Sequence, residues 1–210
     1  YTTEVVQGKH GVKITSHASV VAETVQKILD VTITWKIEAA GKIDADIAVT
    51  KDDEFPDLPR FGVRMFLDKK LSAVRYFGMG PQESYCDKHQ AASHGLYQAN
   101  VDDLHEDYIR PQENGSHYDC EYVELNNSRY GIVVSAENAF SFNASYYTQE
   151  ELEEKTHNYE LIESDSVVFC VDYALNGIGS NSCGPVVLDQ YRFDDVLFRF
   201  QFTLIPYVKG

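Results

Sequence analysis

Basic charge, cysteine and long apolar runs are all scarce in this 210-residue sequence. Eighteen Lys and Arg stand against 33 Asp and Glu, a formal net charge of −15. Nucleic-acid phosphate and anionic membrane surfaces both require a basic footprint, so neither is expected as a partner. Neutral ligands, sugars among them, remain compatible. No run approaches the roughly 18 apolar residues that a membrane-spanning helix needs. The opening "YTTEVVQGKHGVKITSHA" has no basic segment followed by an apolar one, so no signal peptide is read there. An initiator Met is also missing, and the chain is expected to be part of something longer. The four cysteines, Cys86, Cys120, Cys170 and Cys183, are far apart with no CxxC pair. That spacing suits reduced thiols in a cytoplasm better than a secreted disulfide framework.

What is abundant is apolar and aromatic: 43% hydrophobic residues, with 14 Tyr and 11 Phe, enough for a globular core. The dominant period is two. Val31, Ile33, Trp35 and Ile37 alternate with Thr32, Thr34, Lys36 and Glu38, and Ile43, Ala45, Ile47 and Val49 repeat the pattern after a turn at Gly41. Phe61, Val63, Met65 and Leu67 form a third such set, Val167, Phe169, Val171 and Tyr173 a fourth, and Val196, Phe198, Phe200, Phe202 and Leu204 a fifth. Alternation over so many runs predicts half-buried strands. Helix is predicted only after Thr148, where Glu151 three residues on completes a capping box. The fold class is therefore all-β, antiparallel sheets in sandwich form with one short helix, expected as a single domain over residues 1–210. Gly78 to about Gly115 breaks the alternation and reads as a long polar loop, of the kind that is often functional.

"GIGSNSCGP", residues 177–185, is the most glycine-rich stretch. A phosphate cradle would need a helix after it, and "VVLDQYRF" follows instead. A nucleophilic Cys183 would need a base that spacing does not identify. His89 and His94 lie five apart with no matching pair elsewhere, so no zinc site is expected. Glu83 and Glu113 each follow Pro-Gln in a loop; two carboxylates at about 5–5.5 Å would suit a retaining glycosidase, but each is read here as tying backbone N–H groups in a turn.

Four motifs recur in order and spacing: "LPRFGVRMFL" (58–67), "YFGMGPQESYCDK" (76–88), "YIRPQENGSHYD" (108–119) and "NGIGSNSCGP" (176–185). Together they resemble the C-terminal, small-chain region of the large family 2 β-galactosidases, from about residue 8 to the end. The resemblance implies a β-supersandwich of the galactose mutarotase type, packed on an upstream TIM barrel of the same polypeptide. It implies retaining hydrolysis of terminal β-galactosides by the whole enzyme, with possible oligomerisation. Both catalytic glutamates and the magnesium ligands would lie on that barrel, so no catalytic residue and no cofactor is expected in this chain. In the family a loop matching 177–185 sets a tryptophan against the sugar. Here Cys183 falls nearest that place, leaving Ser180, Asn181, Ser182 and Cys183 as the substrate-binding candidates. Glu83, Glu113, Asn114 and His117, the last where the family more often has Arg, form a further possible or structural site. The alternative is a free-standing aldose mutarotase or carbohydrate-binding module of the same fold, with His89, His94 or His117 paired to Glu83 or Glu113 as acid and base.

Overall fold

A computed structural model of the chain describes residues 1–23, 26–177 and 187–209. Among them eleven strands form: β1 Thr2–Gly8, β2 Gly11–Val21, β3 Lys27–Glu38, β4 Ile43–Lys51, β5 Arg60–Asp68, β6 Ala73–Gly80, β7 Ser93–Asn100, β8 Ser116–Asn126, β9 Tyr130–Ser145, β10 Ser166–Leu175 and β11 Leu197–Val208. One α-helix, α1 Gln149–Glu154, follows β9. Every strand pairing is antiparallel. The all-β architecture with one short α-helix agrees with the sequence pattern.

The five alternating runs are β3, β4, β5, β10 and β11. Their inward residues meet in register: Trp35 faces Ala45, and Ala45 faces Phe202. Trp35 sets its ring edge-on to Phe202 at 6.1 Å. Gly41 turns the β3–β4 hairpin with φ +95°, a conformation that suits a residue without Cβ. Strand order runs β1-β2-β3-β4-β11-β9-β8-β6-β7, and β10 joins β9 to β5. The sixteen-residue β9 makes this branching possible. Its first part, Tyr130–Ser135, pairs with β11, and its last, Ser141–Ser145, pairs with β10. Phe140, Phe142 and Phe169 are fully buried around this junction, with Val123, Val134, Val167 and Val171.

Three local expectations change. The polar stretch from Gly78 to Gly115 contains a strand, β7, because half-buried Gly95, Tyr97 and Ala99 alternate with exposed neighbours but carry too little apolar bulk to show it. β10 is buried on both faces from Val167 to Asp172 rather than on one. Gln149 of α1 reaches Cys170 Sγ at 3.6 Å, and Arg60 covers Asp172. At α1, Thr148 Oγ1 accepts the Glu151 N–H at 3.1 Å, but the Glu151 carboxylate accepts the Ile162 N–H instead of completing the box.

Candidate functional site

The two Pro-Gln-Glu motifs meet in space. Glu83 is nearly buried, with a side chain 5% exposed. Lys88 Nζ donates to it at 2.5 Å, the Gly115 N–H at 2.8 Å, and the Tyr108 hydroxyl donates as well. Burial alone would raise this carboxyl; Lys88, Tyr108 and the Gly115 N–H outweigh it and hold it below the usual range. Glu83 thus ties one motif to the other, across to Gly115 and not within its own turn. Gly115 sits at φ +72°, and a Cβ there would meet the Leu104 carbonyl oxygen at 2.3 Å.

Glu113 is used differently. Arg60 Nη1 donates to it at 2.9 Å, while Arg60 Nε and Nη2 form a fork on Asp172 at 2.8 and 2.7 Å. Burial pushes the Asp172 carboxyl upward, and the guanidinium pulls it back. Asn114 is buried: Oδ1 accepts the Glu106 N–H, Nδ2 donates to the Gln112 carbonyl, and its own carbonyl accepts from Asn143. His117 is 1% exposed, with its ring centroid 4.5 Å from that of Tyr76 and stacked on Phe142. Its Nδ1 faces the Met79 carbonyl oxygen at 3.3 Å, and burial lowers its pKa to about 4. His89 contacts the Tyr85 carbonyl and His94 the Asp119 carbonyl. Among the described residues no hydrogen bond joins any of these three histidines to Glu83 or Glu113. No group of three or more His, Cys, Asp or Glu side chains among them is placed to hold a metal ion.

Ser180, Asn181, Ser182 and Cys183 lie outside the described residues, but both flanks of their segment are placed. The Asn176 N–H donates to the Pro59 carbonyl at 2.9 Å, the Gly177 N–H to the Tyr191 carbonyl at 3.2 Å, and the Phe193 N–H to Asn176 Oδ1 at 3.3 Å. Beside these flanks is a cleft of about 320 Å³. Tyr173–Leu175 form one wall and Gln190–Phe193 another; Tyr118 and Asp119 of β8 face Ala139–Ser141 of β9. Two register breaks open it. Tyr118 and Asp119 stand opposite Ser141 alone, and residues 136–139 stand opposite Glu121 alone. Such bulges re-aim side chains. Asp119 takes φ +56°, a left-handed backbone in which Asp and Asn are the common non-glycine residues. Cys86 closes the floor, its thiol donating to the Leu175 carbonyl at 3.5 Å and lying 3.8 Å from the Tyr191 carbonyl. Burial raises this thiol to about 11, so it is neutral and unreactive. The sequence put Tyr85, Cys86, Tyr118 and Asp119 in two motifs and Tyr173 in an alternating run, but not together: the sidedness of Asp119 depends on a bulge, and Asp195 belongs to no motif.

The family model for the beta galactosidase small chain matches residues 2–204. A beta-galactosidase of Actinobacillus pleuropneumoniae is 47% identical over 199 residues, covering 95% of this chain and 19% of that protein. One of Staphylococcus xylosus is 35% identical over 96% of this chain and 20% of its own length, and one of Kluyveromyces lactis 32% identical over 79% and 16%. The chain thus spans about a fifth of the length of the first two relatives. Among solved structures, a GalM/aldose epimerase homologue from C. elegans superposes with a TM-score of 0.47 at 9% identity, over 99% of this chain and 68% of that one. With a family match across nearly all of its length, the chain belongs to the beta galactosidase small chain family.

Proposed function

We propose that this chain is the C-terminal domain of a retaining β-galactosidase, non-catalytic by itself, whose 177–185 segment forms part of the wall of the galactoside site. The observation that carries this is the match to proteins named beta-galactosidase over only about a fifth of their length. The remainder of such a polypeptide has room for the acid/base and nucleophilic carboxylates that retaining hydrolysis requires. Within this chain the best-placed carboxylates are committed elsewhere, Glu83 to Lys88 and Gly115, and Glu113 to Arg60. Magnesium belongs to the same reading, with its ligands on the upstream barrel.

Exposed apolar side chains support attachment to further domains. Ile109 is 98% exposed and Tyr159 83%, on loops joined by the Asn158 amide donating to the Tyr108 carbonyl. Apolar side chains this exposed are usually covered by a partner where they gather into one patch. We place the protein in the cytoplasm, which the free thiols Cys86, Cys120 and Cys170 suit, with self-association of the whole enzyme. No helix among the described residues is long and apolar enough to cross a membrane.

The test is deletion of residues 177–185 from the full polypeptide, followed by hydrolysis of a chromogenic β-galactoside. A raised KM with a lowered kcat is expected. Unchanged values of both would sink the role given to the segment.

A further inference from the structure

We propose that the cleft between Asp119 and Asp195 binds a single neutral pyranose. Its volume, about 320 Å³, lies at the small end of the range for ligand pockets, about 300–1,000 Å³. The lining is amphipathic in the way a sugar ring is. Half-buried Tyr118, Tyr173 and Leu175 supply apolar surface for a C–H face, and Asp119, Asp195 and Gln190 supply acceptors and donors for hydroxyls.

Charge narrows the class. The two carboxylates and the net charge of −15 disfavour phosphorylated or acidic sugars. The lining cation Arg192 is engaged with Asp189 at 3.3 Å and faces Asp57 at 4.0 Å, so it does not offset them. The chemistry is binding and not turnover. The Cys86 thiol is spent on the Leu175 carbonyl, and burial together with the nearby Asp195 carboxylate raises the Tyr173 hydroxyl above its ordinary range, so it stays a neutral donor. Asp119 has His94 Nε2 3.9 Å from its carboxylate.

The walls are fixed by the backbone. Asn176 and Gly177 are bonded to Pro59 and Tyr191 on one side, and the bulge holds Asp119 on the other. Walls already placed by backbone bonds spare a ligand part of the ordering cost of binding. The inference rests on the β-galactosidase reading for its choice of sugar, and on geometry for the site.

D-Galactose and D-glucose are soaked into crystals of the full polypeptide. Each is also titrated calorimetrically into that polypeptide and into its Asp119→Asn and Asp195→Asn variants. Asn keeps the left-handed backbone at position 119 while removing the charge, so the fold is preserved. The expected result is a pyranose in the cleft within hydrogen-bond distance of both carboxylates, with that binding weakened about tenfold or more in each variant. An empty cleft, a cleft filled by the polypeptide's own residues, or a titration unchanged in both variants overturns the proposal. The two readings separate cleanly. Sugar in the cleft with hydrolysis indifferent to the 177–185 deletion keeps this inference and rejects the wall; the opposite pair of results does the reverse.

Discussion

Acid should loosen this structure at His117. The ring lies between Tyr76 and Phe142, and burial, opposed weakly by the Met79 carbonyl and the charge of Glu83, lowers its pKa from 6.5 to about 4. The fold therefore favours the neutral imidazole, and an opened state takes up a proton that the native state refuses. The sign follows: the stability tied to His117 is complete above about pH 6.5, falls as the pH drops from there towards 4, and loses nothing more below that. At about 1.4 kcal/mol per unit, the largest loss is about 3 kcal/mol. His117→Phe keeps a ring between the two aromatic neighbours and removes the titration. The measurement is hydrogen exchange of the β8 amides around Val123 and Leu125, corrected for intrinsic rate, at several pH values between about 7 and 4. The wild type should lose protection across that window and the variant should lose much less. Glu83 is held below its ordinary range and titrates in both proteins, so the difference between them isolates the histidine. Parallel profiles would refute the reasoning.

Two further substitutions test the frame around the paired motifs. Gly115→Ala places a Cβ 2.3 Å from the Leu104 oxygen at φ +72° and should destabilise by about 2 kcal/mol or more in thermal unfolding; a melting point within error of wild type would be incompatible with that geometry. Arg60→Met strands the buried Asp172 carboxylate and should destabilise by about 3–5 kcal/mol. Adding Asp172→Leu should recover most of that loss, and a double variant as unstable as the single would show that charge is not the cause.

Half-buried antiparallel strands were readable because their environment alternates residue by residue. β3, β4, β5 and β11 each place one side in the core and the other towards water, so their apolar residues recur at every second position. β7 was hidden because Gly95 and Ala99 occupy its inward positions, and β10 departs from strict alternation because both its faces are covered. Among the candidate residues, Glu83, Glu113, Asn114 and His117 stood out in sequence as parts of motifs. That Glu83 crosses to Gly115, that Arg60 links Glu113 to Asp172, and that His117 is a core ring could not be read from spacing.

Period-two alternation and four ordered motifs were enough to define an all-β chain of the β-galactosidase small-chain type, because strand burial and short turns are local properties. The cleft is not local. Asp119 faces it because β8 and β9 slip register between residues more than a dozen positions apart, and because the segments before and after 178–186 are bonded to each other. Such a slip turns side chains from one face of a sheet to the other, and it depends on how whole strands pack against their neighbours.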